Sequence, residues 1–486
     1  MRDPFLASCE AEVLHRSGAI IADGTLLVLG PDARVTHVGE NVGALLGGEV
    51  ADWLGAALPP EFAEVVATLR AEPGSRSLLE RAFGGPAGPL DLVATRAPDG
   101  SAVVELLPHA AEEGARSRSV ALRDLGTSDE ARAAAEAQLV ETVAELTGFG
   151  RAMLYRFRED GDGEVVAEAR GGDAFGSYLG LRFPASDIPR IARELYAKNP
   201  WRLIPDSAAE PVALVGRGPE APDLTYADLR SVSPVHRVYL ANMGVRASLS
   251  FPVMLGGALG ALVACHHDAP RRPPLARLEL AARAVRDHAI ATGVWHARRR
   301  MTLLDGLERR FAAARHIVDR HGGLAEGWAE LGPWLMAELD ADGAVFCDGD
   351  LATAAGMPIA PEALEVLDTW FCDRRDSLVW RSESLVRDVP EFPLSEVAGA
   401  LAVRLHRGAA RALRVYLLRR EHLHDVSWGG RPDKPVEHHD GQLGIAPRRS
   451  FERWIEKRFG HSRAWDAESQ ILTHRLRELL IRSVGR

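Results

Sequence analysis

The hexapeptide Pro184-Ala185-Ser186-Asp187-Ile188-Pro189 sets one carboxylate between two prolines. Each proline fixes φ and lacks a donor N–H, so the loop is stiff and presents Asp187 in a defined direction. His236 follows Pro234-Val235 and opens an apolar helix. It is either a satisfied core histidine or a neutral ring that exchanges hydrogen bonds with a ligand. Cys9 lies in a polar lead segment. It is either an incidental thiol or a nucleophile whose thiolate can add to a vinyl group, although nothing local lowers its pKa. Ser248 and Ser250 alternate along a strand, so both face one side, as in a pocket wall or an exposed polar strand face. In Cys265-His266-His267, neighbouring strand residues point to opposite faces, and no metal site is expected.

These residues need elements to hold them. From Gly18 to Leu107 short apolar runs such as Thr25–Leu29, Arg34–Val38 and Leu92–Thr95 alternate with Gly, Pro and Asp turns, as in a small sheet domain. Ser128 to Leu146 reads as a helix with Leu139, Val143 and Leu146 on one face. Met153–Phe157 and Glu164–Ala169 read as adjacent strands, and Ile191–Lys198 as a helix. The uncharged stretch Ala247–Cys265 is broken by Pro252 and Gly256-Gly257, which suits two strands and a tight turn better than a membrane helix. From Leu275 to about Arg320 almost nothing breaks a helix, and Leu278, Ala282, Val285 and Ala289, then Leu303, Leu307 and Phe311, recur at helical spacing. So long a helix reads as a spine or a dimer seam. Trp428 to Trp454 is a Gly-, Pro- and charge-rich excursion, and Asp466–Ser483 closes the chain with a helix.

At 486 residues the chain suggests about three domains, and 46% hydrophobic with 26% charged residues is ordinary globular composition. A net charge of −10 argues against general nucleic-acid binding. Cys9, Cys265, Cys347 and Cys372 fit neither a zinc template nor a disulfide framework, so a reduced cytoplasmic compartment is expected, with no signal peptide and no membrane.

Taken together and in this order, the hexapeptide, Arg230-Ser231-Val232-Ser233-Pro234-Val235-His236 through Arg246, Ala264-Cys265-His266-His267, and Pro447-Arg448-Arg449-Ser450-Phe451 closely resemble the photosensory core of a bacterial phytochrome. The resemblance covers nearly the whole chain. It implies an α+β fold of three mixed domains with antiparallel sheets flanked by helices: a lead segment 1–17, a PAS-like domain 18–115, a GAF domain 128–300, and a PHY domain 301–486 with a tongue at about 424–456. It implies a red/far-red photoreceptor that switches by Z/E isomerisation of a bilin. Val235 stands where plant and cyanobacterial relatives carry the attachment cysteine, so the resemblance selects biliverdin, thioether-linked to Cys9. Arg202, Arg230, Tyr196, Ser248 and Ser250 match positions that hold the propionates. Asp187, Ile188 and His236 match positions beside the pyrroles, and His266 the position that contacts the last ring. Tyr155, Tyr178, Phe183 and Tyr239 match the aromatic pocket in which that ring turns. Arg448 is the implied switch partner of Asp187, with Trp428 and Ser450 in the same tongue. A homodimer through the GAF and PHY helices is implied, with output through a kinase domain or a separate partner.

The chain departs from relatives in three places. Ile20-Ile21-Ala22-Asp23-Gly24 replaces the common Ile-Gln-Pro-His-Gly, Gly150 stands where Asp is frequent, and Leu417–His422 lacks the usual Trp/Phe-Arg-Pro-Glu. Ile20 is still expected to thread a GAF loop. No Walker loop, zincin motif or nucleophile elbow occurs, and no ATP-binding domain follows the last helix, so no enzyme is expected. The competing readings are a chromophore-free dimerisation module, in which Cys9 and the matched residues have no role, and a GAF domain binding a cyclic nucleotide.

Overall fold

Apolar runs of five to ten residues cut by glycine turns become antiparallel strands. The computed structural model describes residues 13–111, 125–172, 176–218, 220–374, 377–407, 411–430, 436–439, 442–445 and 451–484. They fall into two compact units, Met1–Trp295 with Ser427–Trp454, and His296–Val426 with Ile455–Arg486.

In the first unit the strands are β1 (Ala19–Ile20), β2 (Thr25–Leu29), β3 (Val35–Gly39), β4 (Arg76–Gly85), β5 (Gly88–Arg96), β6 (Ala102–Pro108), β7 (Arg151–Phe157), β8 (Gly163–Arg170), β9 (Arg182–Phe183), β10 (Arg202–Ile204), β11 (Val212–Gly216), β12 (Ala247–Leu255) and β13 (Ala258–His267). One sheet runs β1-β11-β3-β2-β6-β5-β4. β11, far along the chain, pairs with both β1 and β3. The other edge of the lead segment is also occupied. The Leu229 carbonyl accepts the Ile21 N–H at 2.8 Å, and the Ser231 N–H reaches Ala19 at 3.2 Å. Ile20, which is fully buried, thus lies between residues 212–213 on one side and 229–231 on the other, as threading through a loop would require. Because of this the segments read as PAS-like and GAF share one core, in which Ile20, Leu26 and Val103 pack with Leu139, Leu249 and Val285.

The second sheet of this unit contains β10-β12-β13-β7-β8-β9, and Trp428 adds to it by parallel pairing with Arg182. Gly256 and Gly257 close the β12–β13 hairpin at φ +60° and +84°, a turn that glycine adopts without steric cost. The helix Asp129–Thr147 starts where the Ser128 hydroxyl accepts the Ala131 N–H and ends at left-handed Gly148. The expected single helix from residue 275 is continuous over Leu275–His321.

The second unit holds β14 (Gly343–Asp348), β15 (Leu351–Gly356), β16 (Val379–Ser382), β17 (Val397–Arg407) and β18 (Arg411–Arg420), in the order β15-β14-β18-β17-β16. Alternation along β17 and β18 divides its two cores: Leu401, Val403, Val415 and Leu417 face one, and Ala400, Ala402, Tyr416 and Leu418 the other. Arg419, in the segment that departs from relatives, is buried over the Trp465 ring and donates to the carbonyls of Leu339, Asp340 and Ala464. No helix among the described residues is long and apolar enough to cross a membrane.

Candidate functional site

The site is built on one face of the second sheet of the first unit. Cross-strand register makes two rows, Ile204–Ser248–His266–Arg151 and Arg202–Ser250–Ala264–Met153. With a period of two these side chains share a face, while Leu203, Leu249, Cys265 and Ala152 face the core behind. Two helices wall the space above. Tyr196 comes from the helix Arg190–Lys198 and Asn199 from its C-cap, and His236, Tyr239 and Leu240 come from the helix Pro234–Asn242, at spacings that place them on one side. Between them lie two adjoining cavities, with about 1060 and 660 Å³ of empty volume including their open mouths. Asp187, Ile188, Tyr196, His236 and Tyr239 line both. A concave space between two helices and a sheet face, with a few converging polar groups, suits a small-molecule ligand.

The proline-bounded loop is pinned by a residue that sequence reasoning missed. Arg193 donates to the carbonyls of Ile188 at 2.7 Å and Gly161 at 2.6 Å, and lies over the Phe157 ring at 4.3 Å. The Asp187 carboxylate accepts the Tyr239 hydroxyl at 3.1 Å. Tyr239 in turn stacks on His236 and meets Phe451 edge-on at 5.1 Å. One residue of the Pro447–Phe451 motif is therefore placed against the site. Cys9, Arg448 and Ser450 lie outside the described residues.

The electrostatics separate two ends. Arg230 is buried and Arg202 partly buried, and their hydrogen bonds among the described residues go to carbonyls only: Arg202 to Asp228, Arg230 and Ser231, and Arg230 to Leu224 and Thr225. Burial and mutual repulsion push the Arg230 guanidinium down to about 9. It remains a cation at neutral pH, and buried charge without a counter-ion is costly. This end suits an anionic ligand. Ser248 and Ser250, buried beside it, add hydroxyl donors. At the other end Arg151 is 1% exposed. It donates to His266 Nδ1 at 2.8 Å and lies 3.9 Å over the Tyr178 ring. Nδ1 is then the acceptor and the ring proton sits on Nε2. Burial, then Arg151 and His236, hold His266 well below the ordinary imidazole range. His267 points the other way, accepting the Gly150 N–H at 3.1 Å.

His236 is partly buried, and its desolvation, then Arg202, lower it from 6.5 to about 4. The unfolded chain therefore takes up the proton first as pH falls. This group's contribution to stability is full above pH 6.5 and is lost towards pH 4. A His236→Gln variant is expected to flatten the fall of melting temperature across that window. An unchanged slope would refute the assignment.

Tyr155, Tyr178 and Phe183 form an aromatic cluster with centroid separations of 5.5 to 6.0 Å. Two glycines make room for it. A Cβ on Gly163 would lie 1.8 Å from the Tyr155 ring, and one on Gly429 would lie 2.4 Å from Phe183. Gly163→Ala is expected to push Tyr155 towards the cavity and to destabilise the protein by about 1–3 kcal/mol. Chemical denaturation measures the loss, and a stability equal to the parent's would contradict the contact.

Residues 136–291 match the GAF domain family, and residues 312–486 the phytochrome region family. A bacteriophytochrome of Pseudomonas aeruginosa is 34% identical over 97% of this chain and 66% of its own length. The photosensory core module of the Stigmatella aurantiaca phytochrome superposes with a TM-score of 0.83 at 31% identity, covering 98% of both chains. A bacteriophytochrome from the photosynthetic bacterium R. palustris gives 0.82 at 27% identity, covering 99% of both. The fold and the matches define a phytochrome photosensory module. The chain belongs to the bacteriophytochrome family, and it spans a little under two thirds of the length of the Pseudomonas protein.

Proposed function

We propose that the protein is a red/far-red photoreceptor that carries biliverdin in this cavity, thioether-linked to Cys9. The observation that carries the reading is the pair of guanidiniums, buried Arg230 and partly buried Arg202, bonded among the described residues only to carbonyls beside two adjoining cavities, with an aromatic cluster at the other end. Biliverdin has two propionates for the first end. It supplies light absorption and an isomerisable double bond to its last ring. The protein supplies the rest. Arg202, Arg230, Tyr196, Ser248 and Ser250 hold the carboxylates. The Asp187–Ile188 loop and neutral His236 face the pyrrole nitrogens. Tyr155, Tyr178, Phe183 and Tyr239 shape the space for the moving ring, and His266 meets its carbonyl.

Residues 18–115, 128–300 and 301–486 then act as PAS-like, GAF and PHY domains. The tongue, about 424–456, is the bistable element, with Arg448 pairing Asp187 in one light state and Trp428 and Ser450 repositioned with it. Arg448→Ala is expected to keep covalent attachment and to lose full photoconversion, and a normal photocycle in that variant would end this part of the reading. The protein is not itself an enzyme. It acts in the cytoplasm as a homodimer, and its signal leaves through an output kinase domain or a separate partner.

The test is to add biliverdin in the dark and record absorption before and after red and then far-red light. Reversible interconversion supports the reading. Binding without interconversion restricts it to bilin binding, and no binding overturns it.

A further inference from the structure

Glu105 on β6 belongs to the first sheet, and its side chain is 0% exposed. A buried carboxylate is costly unless its lone pairs are met. Here two backbone amides meet them, Leu229 N–H to Oε1 at 2.6 Å and Asp228 N–H to Oε2 at 3.1 Å. The same stretch is gripped from its carbonyl side. Arg202 donates to the carbonyls of Asp228 at 2.8 Å, Arg230 at 2.5 Å and Ser231 at 3.2 Å. The Asp228 carboxylate turns back to Arg76 on β4, which pairs with it through both terminal nitrogens and lies 4.7 Å over the Trp201 ring. Residues 228–231 are thus a strap, held by Glu105 at its amides and holding Arg202 by its carbonyls. Burial depresses both Arg202 and Arg230, and the Asp228 carboxylate opposes that. Burial, then Asp228, push Glu105 itself up to about 8, so at neutral pH it holds the strap through its hydrogen bonds and not through its charge.

We propose that Glu105 is a positioning residue for the anionic-ligand end of the cavity: by fixing the strap it sets where the Arg202 guanidinium meets a ligand carboxylate. This rests on the reading that Arg202 and Arg230 take the two propionates of biliverdin. Glu105 touches no ligand atom in this account and acts through the strap.

The test compares biliverdin with its dimethyl ester, which keeps the ring system and removes both negative charges. In a Cys9→Ala background, where binding is reversible, the ratio of the two dissociation constants reports the carboxylate contacts alone. The parent is expected to prefer the diacid, and Glu105→Gln to lower that preference about tenfold with the ester's affinity unchanged. In an Arg202→Met background the same Glu105→Gln change is expected to do nothing further, because both changes act on one contact. If Glu105→Gln does not fold, Arg76→Met loosens the strap from its other carboxylate and is read in the same way. A folded variant with the parent's diacid preference overturns the assignment and leaves the propionate reading standing. Equal affinity for diacid and ester in the parent overturns both, and additive losses in the Arg202→Met background overturn the route through Arg202.

Discussion

Arg202→Met and Arg230→Met combined are expected to weaken biliverdin binding by at least about 100-fold, since each charge-assisted contact to a carboxylate is worth roughly 1.5–3 kcal/mol. Neither guanidinium is bonded to a carboxylate among the described residues. Their burial is therefore a standing cost in the empty protein that an anionic ligand would relieve. This makes a second, opposite expectation. Without ligand the Arg230→Met protein should be no less stable than the parent, because a desolvated charge has gone and only two carbonyl contacts are lost. Titration by absorbance and thermal melting of the empty protein measure the two effects. Unchanged affinity in the double variant would remove the anionic-ligand end from the site. A large loss of stability in empty Arg230→Met would show instead that the arginine is structural.

If the proposed homodimer pairs along the long helix, Val294→Glu with Met301→Glu is expected to turn it into a monomer, with association weakened at least about 100-fold by two carboxylates forced into an apolar seam. The helix Leu275–His321 carries two stripes. The one legible from helical spacing is inward: Leu278, Val285, Leu307 and Phe311 are buried. The other is outward. Ile290, Val294, Met301 and Leu304 are 56, 43, 63 and 37% exposed, and exposed Ala297 completes a spacing of four, three, four and three. That repeat suits the seam of a two-stranded coiled coil, the interface the proposed homodimer would use. Sedimentation velocity over a range of concentrations reads the result. An unchanged dimer would put the interface elsewhere, whereas unchanged melting of the monomeric variant is expected because the outward stripe supports no intramolecular core.

Much of this molecule was legible from local pattern. The Gly256-Gly257 turn, the alternation of Ser248 and Ser250, the Pro234 helix start and the long helix depend on residues a few positions apart, where backbone sterics and periodicity decide. The same holds for His267, whose direction away from the cavity follows from alternation alone. Gly429 was legible as part of a glycine-rich excursion but not as the space for the Phe183 ring, which is 246 residues earlier in the numbering of the chain.

What the tertiary structure alone decided is which distant groups share a buried volume. Arg151 opens a strand and reads as an ordinary charged residue, yet register sets it opposite His266, where it selects the tautomer. Arg193 sits in a helix with other charges, and only folding brings it under the proline loop. Glu105 lies in an apolar strand, where a carboxylate looks out of place until the amides of Asp228 and Leu229 arrive. The physical reason is common to all three. A charged side chain carries no local sign of burial, because its cost is met by partners that chain topology, not sequence spacing, delivers.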